Sequence, residues 1–148
     1  MNSIIIEQLS EISSEERSYL ENKPFEQELY SDDNRHVIER DKILKKGQLI
    51  TIWRHPRFAS FPEHSHNFVE MIYTCKGYTV HHFPNQEAVT LQAGELLIMN
   101  QSARHYIERA GINDIAVNFI ILPQFFDIAY SMIGADNVLG RFLLDILT

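Results

Sequence analysis

Apolar and polar positions alternate with period two through the middle of the chain and recur at helical spacing toward both ends. Between about residues 46 and 122, short β-branched and aromatic runs follow one another: Leu49 to Trp53, Phe68 to Thr74, Tyr78 to Phe83, Ala88 to Leu91, Glu95 to Met99 and Ile115 to Leu122. Turn-forming stretches separate them, among them Pro84-Asn85, Ala93-Gly94 and Gly111 through Asp114. In the last run Ile115, Val117, Phe119 and Ile121 share one face. Many short strands at close spacing predict a sandwich or barrel. No helical pattern intervenes, which argues against a doubly wound α/β fold.

The first zone, 1–45, predicts a helix over 4–22. Ser13 and Glu16 have the spacing of a capping box, Ile12, Tyr19 and Leu20 give a thin apolar stripe, and Pro24 should stop the helix near Asn22. The last zone, 123–148, predicts two short antiparallel helices. Phe125, Phe126, Ala129, Met132 and Ile133 recur at helical spacing, and Gly134 interrupts them. Asp136 can then cap a second helix with Val138, Leu139, Phe142, Leu143, Ile146 and Leu147 on its apolar side. This stripe offers a dimer interface. It runs to Thr148 without glycine, proline or a basic residue to end it, from which we expect the sequence to be part of a longer protein.

Charge sharpens this division. Of the net charge of −7, all falls in residues 1–41, which hold eleven acidic and four basic residues; the remainder holds nine of each. A domain gripping a phosphate backbone by itself needs a basic face, and none is present; Lys42 to Gly47 reads as a solvated loop. The 148 residues suit one domain with a core that needs no cross-links. Cys75 is the single cysteine, so an internal disulfide is excluded; it reads as a small buried hydrophobe in a reducing compartment. No signal peptide is evident, and no apolar run approaches the ~20 residues of a membrane span. A soluble, cytoplasmic protein is expected.

Candidate chemistry gathers between His64 and Gly77. His64 and His66 are two residues apart, so a strand points both to one face about 6.6 Å apart. Two imidazoles so placed can converge on one ion. Glu70 shares their parity, but a straight strand would carry it about 20 Å from His64; joining them requires a bend near Asn67. Downstream, Gly94 opens a strand, Asn100 through Ala103 closes it, and His105 starts the next. Without a metal the same residues read as polar pocket lining. Glu70 would then pair with Arg104 or Lys76, or bond a ligand hydroxyl, because a buried unpaired carboxylate is costly. His81 and His82 are adjacent and point to opposite faces, one of them exposed. Trp53 and Tyr73 read as core, or as rings stacking on a sugar or aromatic effector.

The sequence from His64 through Glu70 to Gly77 resembles the first cupin motif, and Gly94 through His105 resembles the second. Carried over by position, the resemblance gives His64, His66, Glu70 and His105 as ligands for a divalent transition metal (Zn, Ni, Fe or Mn) inside a cupin-type double-stranded β-helix. Phe58 stands where the first motif usually has glycine. Asn100, Ser102 and Arg109 stand where the second has proline, glycine and asparagine. The layout over 46–148, a barrel followed by an apolar helical hairpin, is similar to the N-terminal sensing domain of AraC-type transcription regulators. That resemblance implies a non-catalytic domain whose barrel, at 46–122, binds a small effector. It implies homodimerisation through 123–148, and DNA binding only through a C-terminal helix-turn-helix part not in this chain. The acidic arm, 1–45, could lie over the barrel mouth as a lid. A stand-alone metal-dependent cupin enzyme, an oxygenase or isomerase, and a sugar-binding module are the alternatives.

Overall fold

The computed structural model describes residues 3–25, 31, 37–134 and 136–147. Two helices come first, α1 (Ser3–Ser10) and α2 (Ser14–Leu20), then a short strand β1 (Val37–Ile38) and a single helical turn α3 (Arg40–Ile43). Eight strands follow: β2 (Ile50–Arg54), β3 (Phe61–His66), β4 (Val69–Lys76), β5 (Tyr78–His82), β6 (Val89–Gln92), β7 (Leu96–Met99), β8 (His105–Ile107) and β9 (Ile115–Ile121). Helices α4 (Pro123–Ile133) and α5 (Val138–Leu147) end the described chain.

The strands form two sheets, in the orders β1-β3-β8-β5-β6 and β2-β9-β4-β7. Apart from the parallel β1–β3 pair, every pairing is antiparallel. This is the jelly-roll arrangement of a double-stranded β-helix, as the period-two pattern predicts. Each predicted strand is present. Strand β1 extends the five-stranded sheet into residues 37–38.

Period-two alternation makes β4 and β9 two-faced. Toward the barrel they turn Glu70, Ile72 and Thr74, and Ala116, Asn118 and Ile120. Val69 and Ile121 pack instead with Phe126 of α4 and Leu143 of α5. Thus the hairpin of α4 and α5 covers the outer face of the four-stranded sheet. It does so incompletely: Met132 is 82% exposed and Val138 86%. Inside the barrel, Phe61, Phe68, Ile107 and Ile120 form the main apolar cluster, with Trp53 packed against it.

The N-terminal helix departs from the expected single span of 4–22. It is broken at Glu11–Ser13 into α1 and α2. The capping box forms as predicted: Glu16 N donates to Ser13 Oγ at 3.1 Å, and Ser13 N donates to Glu16 Oε2 at 2.9 Å. A cap restarts a helix, so residues before Ser13 belong to another one. Arg57, 2% exposed, completes the break. Its Nη2 donates to the carbonyls of Ser10 and Glu11 at 3.1 and 3.2 Å, oxygens that the end of α1 leaves without helical partners. The same guanidinium donates to both Glu16 carboxylate oxygens at 2.6 and 3.0 Å, and to the Ile112 carbonyl at 3.1 Å. Burial pushes the Glu16 carboxyl up, but the Arg57 bonds and charge and the Ser13 N–H outweigh it and hold Glu16 below the usual range. Helix α2 ends at Leu20, just before Asn22, whose φ of 61° leaves helical geometry ahead of Pro24.

Two backbone positions explain the motif residues. Gly77 has φ +69°, and a Cβ there would lie 2.2 Å from Asp114 Oδ1 and 2.8 Å from the Asn113 carbonyl. Asp114 is itself fixed by the Tyr78 and Gly111 N–H groups. Phe58, at the position where the cupin motif usually has glycine, also has φ 69°. The left-handed conformation persists without glycine. The Phe58 N–H is bonded to the Ala110 carbonyl at 2.9 Å, and Arg57 lies 5.2 Å from the ring centre.

Candidate functional site

Strand β3 turns His64 and His66 into the barrel, and both are buried. The chain then bends at Asn67 and Phe68 before β4 begins. Asn67 holds the bend: its Oδ1 accepts from Arg40 N at 2.8 Å. The bend passes the chain from one sheet to the other, so Glu70 faces back across the barrel. His66 Nε2 and Glu70 Oε2 are 3.7 Å apart, as the proposed bend near Asn67 requires. His105 starts β8 directly opposite His64, and their ring centres are 4.3 Å apart.

One ligand atom each from His64, Glu70 and His105 lie within 4.8 Å of one another, all three residues buried. His66 stands one step outside this trio, its ring stacked on Phe68 at 4.8 Å. Tyr73 takes no part: it lies on the opposite face of β4 from Glu70 and lines no part of the pocket. Trp53 does line it. Neither Arg104 nor Lys76 reaches Glu70. Arg104 bonds Glu63 at 2.8 Å and Lys76 bonds Asn113 at 3.2 Å.

Glu70 is instead held by Asn118, whose Nδ2 donates to Oε1 at 2.9 Å. Asn118 Oδ1 is 3.0 Å from His55 Nδ1, which therefore carries the proton. His55 and Asn118 were not foreseen as site residues. Asn118 had a readable signal, since it is the one polar side chain in the apolar run Ile115 to Leu122. His55 follows β2 outside any strand pattern and gave none. Of the adjacent pair, His81 is fully buried and His82 lies at the surface, stacked on Tyr106 at 4.2 Å.

Burial dominates the electrostatics. Removal from water pushes His64 and His66 down to about 4, against the opposing pull of the Pro62 and Phe68 carbonyls. It pushes His105 down to about 2, with the other histidines adding to the effect. His55 falls to about 4 and His81 to about 3 for the same reason. Burial raises Glu70 to about 7, against the Asn118 bond. At neutral pH the histidines are therefore uncharged, and their approaches to Glu70 are not ion pairs.

This donor set fits a divalent metal. His64 Nδ1 is 2.8 Å from the Pro62 carbonyl and His66 Nδ1 is 2.7 Å from the Phe68 carbonyl. Each Nδ1 therefore carries the proton, and each Nε2 presents a lone pair. His66 Nε2, Glu70 Oε2 and His105 Nε2 are buried and make no hydrogen bond among the described residues. Of these, His66 Nε2 and the ionised Glu70 oxygen are acceptors facing one another without a donor, which is unfavourable, and a cation resolves that. His64, Glu70 and His105 would hold it, with His66 beside Glu70.

A pocket opens from this cluster toward the arm. Its cavity volume is about 50 Å³. His64, Glu70 and Asn118 form its polar end, and Trp53, Phe61 and Ile120 are among its apolar walls. Glu15 of α2 also lines it.

A jelly-roll barrel with two histidines and a glutamate converging at the end of an apolar pocket defines a cupin-type ligand-binding barrel. A profile of the AraC-like ligand binding domain matches residues 46–131, more than half of the chain, and the chain belongs to that family. Among solved structures it is similar to a predicted oxalate decarboxylase from Thermotoga maritima, at 28% identity over 49% of this chain and 64% of that one (TM-score 0.40). It is similar to a cupin-like protein from the same organism, at 14% identity over 50% and 57% (TM-score 0.43). A cupin-2 domain protein from Shewanella frigidimarina is 21% identical over 48% and 66% (TM-score 0.39). The chain thus covers less than two thirds of each of these structures. No curated protein matches it. No helix among the described residues is long and apolar enough to cross a membrane.

Proposed function

We propose that this chain is the effector-sensing part of a cytoplasmic AraC-type transcription regulator, with DNA binding supplied by a region outside it. The observation that carries the reading is the pocket. It joins Glu15 of the N-terminal arm to His64 and Glu70 inside the barrel, so a molecule bound there touches both the arm and the metal-binding residues. The arm then acts as a lid that the effector engages. For this to switch anything, the effector must bind the open and closed arrangements with different affinity. The pocket favours a small molecule with an apolar body and one oxygen-donor head. Trp53, Phe61, Phe68 and Ile120 offer little to a polyhydroxylated ligand, while the head faces His64 and Glu70.

A bound Zn, Ni, Fe or Mn ion would supply a Lewis-acid contact for that head. His64, His66, Glu70 and His105 would orient it. Elemental analysis of the purified chain tests this. We expect about one equivalent of a transition metal, lost in His64→Ala and in Glu70→Ala, both variants remaining folded. A metal-free wild type after reconstitution with zinc would sink the metal site.

The exposed hairpin supports homodimerisation, with Met132 and Val138 buried between two copies. Sedimentation velocity is expected to give a dimer that Met132→Glu with Val138→Glu converts to monomer. A monomeric wild type at micromolar concentration would remove this part of the reading.

The second reading, a metal-dependent cupin enzyme, is favoured by one observation: His64 and Glu70 of the trio line the pocket, where a substrate could meet the ion. Turnover of a small carboxylate by the metal-loaded chain would decide for it.

A further inference from the structure

Behind the trio, the barrel holds two histidines that the proposed site does not use. His55 is 2% exposed and His81 is fully buried. The rings of His55, His81 and His105 run in series, with centres 5.8 Å apart for His55–His81 and 5.9 Å for His81–His105. Each presents a buried nitrogen that makes no hydrogen bond among the described residues: His55 Nε2, His81 Nδ1 and His105 Nδ1. Three unbonded ring nitrogens in one interior are an anomaly, since buried polar groups are nearly always bonded.

The proton on His55 follows from its neighbours. Asn118 donates to Glu70, so its oxygen faces His55 and the proton sits on His55 Nδ1. His55 Nε2 is then a bare acceptor. His81 Nε2 is 2.9 Å from Thr79 Oγ1, and that hydroxyl is 3.4 Å from Thr74 Oγ1. When the Thr79 hydroxyl is directed to Thr74, His81 Nε2–H donates to Thr79 Oγ1 and His81 Nδ1 is a second bare acceptor. His105 Nε2 points to Glu70, 4.0 Å from Oε2. A direct N–H···N bond needs about 2.9 Å between nitrogens, and none is made here. Polar groups separated by more than a bond length are commonly joined through water.

We propose that His55, His81 and His105 form an inner site for one buried water, with His81 protonated on Nε2, which makes His55 and His81 positioning residues for His105. A water donates two protons and accepts at least one. Its protons satisfy His55 Nε2 and His81 Nδ1, so it must accept from His105 Nδ1–H. Three bonds is the usual complement of a buried water. The consequence is a fixed tautomer: His105 carries its proton on Nδ1 and presents Nε2, bare, to Glu70 and His64. The inner site thus sets which nitrogen of His105 faces Glu70. This deepens the metal-site reading and rests on it for the role of His105, but the tautomer does not require an ion.

The test uses the full chain with ¹⁵N-labelled histidine and long-range ¹H–¹⁵N spectra, first metal-free and then with Zn²⁺. Metal-free, His105 is expected as the Nδ1–H tautomer, His55 as Nδ1–H and His81 as Nε2–H. His105 found mainly as Nε2–H overturns the proposal, whatever zinc does. No zinc uptake with His105 as Nδ1–H supports the proposal and removes the metal reading alone. Two substitutions separate hydrogen bonding from packing. His81→Phe keeps the ring and removes both nitrogens; His81→Asn keeps an acceptor near the Nδ1 position but fills the space poorly. Zinc affinity is expected to fall about 10-fold or more in His81→Phe and to stay within about threefold of wild type in His81→Asn. The reverse order overturns the proposal. If His81→Phe does not fold, the His105 tautomer in His81→Asn decides: Nδ1–H supports the proposal and Nε2–H overturns it.

Discussion

Acidifying the metal-free chain from pH 7 to pH 5 is expected to unfold it. Five histidines, at 55, 64, 66, 81 and 105, are buried and held at about 4 or lower, against an ordinary value of 6.5. Below pH 6.5 the unfolded chain takes up their protons and the folded chain does not. Stability therefore falls as pH falls, and continues to fall until the folded values are reached. Glu70 acts in the opposite sense. Its value is raised to about 7, so between pH 7 and 4.5 the folded chain holds a proton that the unfolded chain lacks, and stability rises as pH falls. Five protons against one leaves a net of about four, or about 5 kcal/mol per pH unit at full effect. From pH 7 to 5 the integrated loss is on the order of 7 kcal/mol, comparable to the whole stability of a typical domain. Urea unfolding followed by circular dichroism across this range measures it. A chain whose urea midpoint is the same at pH 5 as at pH 7 would contradict neutral burial of these rings. A bound metal favours ionised Glu70 and neutral histidines, so loading should move the acid midpoint downward.

Replacing Arg57 with alanine is expected to cost about 3–5 kcal/mol, because it leaves the Glu16 carboxylate buried without its partner. The loss should be concentrated in the arm. Arg57 joins Glu16, Ser10, Glu11 and Ile112, and Arg54 Nη1 adds a bond from β2 to the Glu11 carbonyl at 3.0 Å. Limited proteolysis should then cut near Glu11–Ser13 in Arg57→Ala but not in wild type. Glu16→Gln should cost less, since the amide oxygen still accepts from Arg57. A double-mutant cycle with Glu16→Ala separates the pair energy from the packing of the two side chains. A coupling below about 0.5 kcal/mol would show that the arm is held by something else.

The barrel was legible because its signal is local. Alternation within each run and turn residues between runs are set by neighbours in sequence, as is the capping box at Ser13. The bend at Asn67 followed from parity and reach, since Glu70 could not otherwise meet His64. What escaped depends on distant contacts. The break between α1 and α2 is completed by a guanidinium 46 residues beyond Glu11. The role of His81 depends on which face of β5 the barrel encloses, and adjacent histidines leave that choice open. Tyr73 was misplaced for the converse reason: aromatic character suggested a pocket wall, while its odd parity relative to Glu70 already assigned it to the other face. His55 lies where the chain leaves β2, and only the Asn118 oxygen reveals its part.

The two faces of β4 and β9 have a mechanical consequence. Glu70 and Ile120 line the pocket, while their immediate neighbours Val69 and Ile121 pack against Phe126 and Leu143 of the helical hairpin. A planar peptide group joins the members of each couple, so a backbone displacement at one is passed directly to the other. Occupancy of the pocket and the seating of the hairpin are thus read by the same backbone, with a relay one residue long.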